Sequence, residues 1–324
     1  MSTYQLPRLI LGDNQFFGIN HMSEEKARAQ ALHFQDIRAV YDVVDAAQAE
    51  GIHTFMCTTH DRVATICDHV RRHPQRYRSF DFYPSMPYAH KYANAAAEDG
   101  MLGAIKRFTP EGGLLTAAFR GGMSLATRDI EGLATLLIDA EMKMFQGLST
   151  PVIFLQNVVV DLLLGLGMHH AFRIFADHVR RRYRAEPGFL TMNLPRLLDA
   201  LDEVGVLNPI VCTNLNKLGF RMCGGVEAYD RALRERRFRP IAMSVFASGA
   251  IPAREAIEWV CERPNLDSIV FGASTRANIQ STRELVDHFW PASVEIDLAT
   301  GIGHWPLTNV PVNEAQVRRE AVGP

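Results

Sequence analysis

Short apolar runs rich in β-branched and aromatic residues, each closing on polar residues or glycine, alternate along the chain with longer segments whose apolar positions recur at helical spacing. The runs at residues 8–14, 53–59, 80–87, 152–157, 189–193, 209–214, 240–246 and 268–273 predict eight strands. Helical spacing predicts helices near 35–50, 62–72, 90–106, 162–182, 195–204, 226–236, 253–262 and 277–288. Strand–helix alternation implies a parallel sheet with crossover helices, and eight such units close a barrel. The predicted fold class is therefore α/β, a (β/α)8 TIM barrel. Pro195 just inside a helix start and Gly205 just past its end punctuate one of these units as expected. An open doubly wound sheet is disfavoured, because no G-x-G-x-x-G follows the first strand.

Two regions exceed the minimal repeat. Residues 109–147, between strands 3 and 4, hold Gly112, Gly113, Gly121 and Gly122 and then a helical run from about Thr127. They are read as an inserted flap with an extra helix, placed over the barrel mouth as long insertions usually are. The tail, 297–324, either folds over the mouth or is a loose end. A single barrel domain over 1–296 is expected.

Composition narrows the partners. With 34 Lys plus Arg against 36 Asp plus Glu the net charge is −2, so no electrostatic footprint for nucleic acid exists. The most apolar stretch, 151–168, carries Gln156, Asn157 and Asp161, which are costly in hydrocarbon, and no membrane association is expected. Five scattered cysteines form neither a disulfide framework nor a zinc ribbon, and with no visible leader they favour a cytoplasmic protein.

In a barrel, chemistry gathers where the C-terminal ends of the strands converge. That rule selects Asp13, Asn14 and His21 after strand 1, Thr58, Thr59, His60 and Asp61 at strand 2, and Ser85 and Tyr88 at strand 3. It adds Gln156 and Asn157 at strand 4, then Asn193, Asn214, Asn216, Ser244 and Ser248. His60 and Asp61 are the most informative pair: an imidazole exchanges protons near neutrality and a carboxylate orients it. Asp61 is also expected to cap the helix that follows. Asp13 is a candidate base or a buried acceptor that requires a partner. Asp13, His21 and His60 are types that ligate Zn, Mn or Fe, but their spacing matches no compact motif and no metal site is predicted. Gly272, Ser274, Thr275 and Arg276 lead into a helix as an anion cradle, or simply as a cap with a surface Arg.

Five segments carry a resemblance: "LILGDNQFFG", "GFLTMNLPRLLDALDEVG", "PIVCTNLNKLGFRM", "PIAMSVFASGAI" and "SIVFGASTRANIQST". In this order they resemble strands 1, 5, 6, 7 and 8 of the aldo-keto reductase superfamily, closely in the C-terminal half and loosely before it. The resemblance implies an NADP(H) cofactor, with Asn193 on the nicotinamide carboxamide and Gly272, Ser274, Thr275 and Arg276 on the adenosine phosphate. It places Cys212 and Met243 where the family has a Gln and a stacking Tyr. The catalytic tetrad is not retained: Met56 stands at the Asp, Asp61 at the Tyr acid, Gln156 or Asn157 at the His, and strand 3 has no Lys. Tyr-acid carbonyl reduction cannot run as usual without those groups.

Three functions remain open. The first is isomerase- or lyase-type acid–base chemistry on a small polar carbonyl or sugar-like metabolite, with His60, Asp61, Asp13 and Asn157 as catalytic candidates. Asn14, His21, Tyr88, Gln156, Asn193, Asn214 and Ser244 would then bind substrate, whose phosphate the cradle would take. The second is an NADP(H)-dependent oxidoreductase with a substituted tetrad, and the third is a non-catalytic ligand-binding barrel.

Overall fold

The computed structural model describes residues 4–20, 22–88 and 127–290. It divides into two units, Met1–Phe289 and Trp290–Pro324. The expected tail, the helix near 90–106 and the part of the expected insertion up to residue 126 lie outside the described residues.

Eight strands, β1 (Leu9–Leu11), β2 (Thr54–Thr58), β3 (Asp81–Met86), β4 (Val152–Leu155), β5 (Glu186–Thr191), β6 (Ile210–Asn214), β7 (Arg239–Met243) and β8 (Ser268–Phe271), form a closed barrel in sequence order. All neighbours are parallel, and β8 returns to β1 with Leu9 opposite Ile269 and Leu11 opposite Phe271. Most strands end earlier than the pattern implies, because their polar final residues already belong to loops. β7 stops at Met243, and the next residue, Ser244, has a φ of 55° that no strand accommodates. β5 starts three residues earlier than expected, at Glu186, since Pro187 and Gly188 mask a strand in any propensity reading.

Strand alternation sends Ile10, Met56, Tyr83, Phe154, Leu190, Cys212 and Ile241 into one interior cluster. Phe154 and Tyr83 supply the bulk, with ring centroids 6.0 Å apart. Gly188 supplies the space: a Cβ built there would stand 2.3 Å from the Phe154 ring. Gly188→Ala is accordingly expected to destabilise the barrel by about 1–3 kcal/mol through overpacking. An unchanged urea midpoint would show that Phe154 does not fill the barrel.

The helices are α1 (Glu24–His33), α2 (Ile37–Ala49), α3 (Asp61–Arg72), α4 (Thr127–Met142), α5 (Asn157–Gly165), α6 (His170–His178), α7 (Leu194–Glu203), α8 (Gly225–Glu235), α9 (Ala253–Cys261) and α10 (Arg276–Phe289). α1 was not anticipated, because none of its side chains is buried and so no apolar stripe marks it. The single helix expected over 162–182 is two, α5 and α6, parted by a turn in which Gly167 takes a φ of 69°. A π turn over Val179–Tyr183 follows α6. α4, the helical run expected from about Thr127, packs against β3 and α6.

Candidate functional site

Because the eight strands are parallel, their C-terminal ends share one rim. The candidates follow those ends: Asp13 after β1, His60 and Asp61 after β2, Tyr88 after β3, Gln156 and Asn157 after β4, Asn193 after β5, Asn214 at the end of β6, Ser244 after β7 and Gly272 after β8. His60 and Asn193 are thus at the same pole. Asn14 is exposed at the start of a short 3-10 turn, and His21 lies outside the described residues.

The rim over β1–β3 gathers the acids. Asp13 is 7% exposed. Its Oδ2 accepts the Thr58 backbone N–H at 2.7 Å and the Thr58 hydroxyl at 2.8 Å. Loss of water around the carboxyl outweighs these two bonds and pushes its pKa up from 3.8 to about 6. Beside it, the Thr59 hydroxyl donates to Glu141, which also accepts the Tyr88 N–H at 3.1 Å. Glu141 is 3% exposed and comes from the last turn of α4. Sequence reasoning missed it, since a single Glu in a helical run carries no motif. Tyr88 has its phenol pKa raised, first by burial and then by the nearby Asp13.

His60, not Asp61, caps α3. Its Nδ1 accepts the Arg62 N–H at 3.0 Å, while Asp61 is the exposed first residue of the helix. Imidazole Nδ1 lies as many bonds from the backbone as an Asp oxygen, which is why it can take the cap's place. As an acceptor, Nδ1 is unprotonated, so the neutral ring carries its proton on Nε2. The ring sits between Phe17, 4.6 Å away centroid to centroid, and Tyr88 at 5.6 Å. Arg62 holds Phe17 in place by donating to the carbonyls of Phe16 and Phe34.

The opposite rim presents amides. Asp161, in α5, accepts the Thr191 hydroxyl at 2.6 Å and the Met192 N–H at 3.1 Å. The Tyr229 hydroxyl donates to the Met192 carbonyl at 2.6 Å and accepts the Leu194 N–H. Asn193 is braced between them, and its own side chain has no hydrogen bond among the described residues. Asn214 and Asn216 are occupied otherwise: they donate to the carbonyls of Arg221 and Phe220 and so hold the loop before α8. Gln156, 8% exposed, shares the inward face of Phe154, whereas half-buried Asn157 begins α5. Ser244, Ala247 and Ser248 are all left-handed, which makes the loop after β7 a locally strained part of the rim.

The cradle after β8 is partly spent. The Thr275 hydroxyl accepts the Asn278 N–H at 3.2 Å and caps α10, and Arg276 pairs with Glu50 at 2.9 Å. The Gln15 side chain, anchored on the Gly12 carbonyl at 2.7 Å, occupies the space where a side chain at Gly272 would project. Cys212 is fully buried in the interior, and burial pushes both its thiol and that of Cys57 upward, as for inert small hydrophobes. Asn193 suits a nicotinamide amide, but Cys212 and the committed Thr275 and Arg276 fit a dinucleotide poorly. Among the described residues no cluster of three or more His, Cys, Asp or Glu could hold a metal ion, and no helix is long and apolar enough to cross a membrane.

No family model matches the chain, and no curated protein matches it. Solved structures do. A candidate aldo-keto reductase from Pseudomonas aeruginosa, PA4992, aligns over 87% of this chain and 90% of its own with a TM-score of 0.53 at 12% identity. The holo form of aldo-keto reductase AKR11C1 from Bacillus halodurans aligns over 86% of each chain with a TM-score of 0.51 at 9% identity. What these likenesses show is the fold: an eight-stranded parallel barrel ringed by helices, of aldo-keto-reductase architecture.

Proposed function

We propose that the protein is a barrel enzyme that moves protons on a small polar carbonyl or sugar-like metabolite, in the manner of an isomerase or lyase. The observation that carries this reading is Asp13, a buried carboxyl at the end of β1 whose pKa of about 6 suits it to give and take protons near neutrality. His60 is the second group: with Nδ1 on the helix cap, its Nε2–H donates a hydrogen bond to a substrate oxygen, and when the ring takes up a proton it does so at Nδ1, which leaves the cap. Tyr88 and Phe17 form the walls against which the imidazole is held. Asn193 and Gln156 donate to substrate oxygens from the facing rim, with Asn157 beside them. Asp61, exposed at the first turn of α3, places a carboxylate next to His60 in the chain. The N–H groups at the start of α10 take a substrate phosphate.

An NADP(H)-dependent oxidoreductase is the second reading, favoured by the uncommitted Asn193 amide. The poor fit of Cys212, Thr275 and Arg276 places it second.

One experiment tests both. A panel of aldoses, ketoses and their phosphates is incubated with the protein in heavy water, and deuterium uptake at the carbon beside the carbonyl is followed by NMR. Uptake without added nicotinamide cofactor is expected. No uptake, together with NADPH oxidation on the same panel and tight NADPH binding by fluorescence titration, would replace the first reading by the second.

A further inference from the structure

We infer that the opposite, N-terminal pole of the barrel carries a second binding site, for a small molecule bearing two adjacent phosphates. The loops entering β6, β7 and β8 line an open groove of about 600 Å³ there, larger than one phosphate needs. Arg234, Arg236, Arg237 and Arg239 line it, together with Glu235 and Asp267.

Two of the four arginines are already neutralised. Arg236 binds Asp199 at 2.7 Å and Asp202 at 2.8 Å, and Arg239 lies 3.7 Å from Asp267 while donating to the Tyr4 carbonyl. Arg234 and Arg237 are exposed and form no ion pair among the described residues. A guanidinium fork matches phosphate oxygens two at a time, so two free forks on one wall match two phosphates. The wall is also fixed: the Asn265 amide, on a left-handed residue, donates to the Leu233 carbonyl at 2.9 Å and ties the loop entering β8 to the last turn of α8. The reaction rim lies at the other end of the strands, so this site does not depend on the proposed chemistry.

Isothermal titration of the full chain with inorganic pyrophosphate tests it. Saturable binding is expected that weakens at least about tenfold in the double variant Arg234→Ala/Arg237→Ala, weakens with added salt, and is unchanged in Arg276→Ala at the rim. The thermal midpoint of the double variant should match the parent, because both side chains are exposed and unpaired. Orthophosphate should bind at least about tenfold more weakly than pyrophosphate. ADP binding tighter than pyrophosphate would assign the diphosphate to a nucleotide, and weaker ADP binding to a free polyphosphate. The site is overturned if no saturable binding occurs at about 1 mM pyrophosphate, if the double variant binds as tightly as the parent, or if Arg276→Ala abolishes binding instead. Equal affinity for orthophosphate would overturn the two-phosphate assignment.

Discussion

Asp13→Asn is expected to lower the rate of solvent-deuterium exchange by about 10²–10⁴-fold, the usual loss when a general acid or base is removed, and at the same time to make the protein more stable at alkaline pH. The two effects share a cause. An Asp whose folded-state pKa is about 6, against an ordinary 3.8, favours the folded state only while it is protonated. That contribution is complete below about pH 4 and is lost as the pH rises to about 6, a difference of about 3 kcal/mol. Asparagine carries no charge at either pH, and its Oδ1 can still accept the Thr58 N–H and hydroxyl. The variant should therefore match the parent in urea unfolding at pH 4 and exceed it by up to about 3 kcal/mol at pH 8. A variant less stable than the parent at pH 8 would mean that the carboxylate is retained for folding and not for chemistry.

His60 allows a sharper separation, because the structure gives its two ring nitrogens different tasks. His60→Ala removes both, and should cost about 1 kcal/mol for the lost cap of α3 along with about 10²–10⁴-fold in exchange rate. His60→Asn restores an acceptor at the position of Nδ1 for the Arg62 N–H but offers no N–H donor at the position of Nε2. It should recover the stability and leave the rate as low as in His60→Ala. Full activity in His60→Asn would reduce the imidazole to a cap held between Phe17 and Tyr88.

The barrel was legible in the sequence because its determinants are local and periodic. A strand buried on both faces reads as an apolar run, and a crossover helix shows a stripe, so all eight strands and most wall helices appear at nearly their observed positions. α1 failed that test because it buries nothing, and the break between α5 and α6 was hidden in a run whose apolar residues continue through Gly165 and Gly167. At the rim, the rule that chemistry follows strand ends located Asp13, His60, Tyr88 and Asn193. What it could not supply were the residues that reach the rim sideways. Glu141 arrives from α4 and Asp161 from α5, each a lone acid whose partners lie tens of residues away. Gln15 and Glu50 likewise occupy the cradle after β8 through contacts more than two hundred residues distant in sequence. Such groups are selected by packing in three dimensions, and no spacing along the chain announces them.

The claim beneath all of this is that the rim over β1–β3 keeps a carboxyl poised for proton transfer near neutrality, and it can be measured without knowing the substrate. Carboxyl ¹³C NMR titration of the labelled protein, with the Asp13 resonance identified by its loss in Asp13→Asn, reads the group directly. An inflection near pH 6 is expected. An inflection at or below the ordinary 3.8 would show a solvated or ion-paired carboxylate and contradict the proposed chemistry.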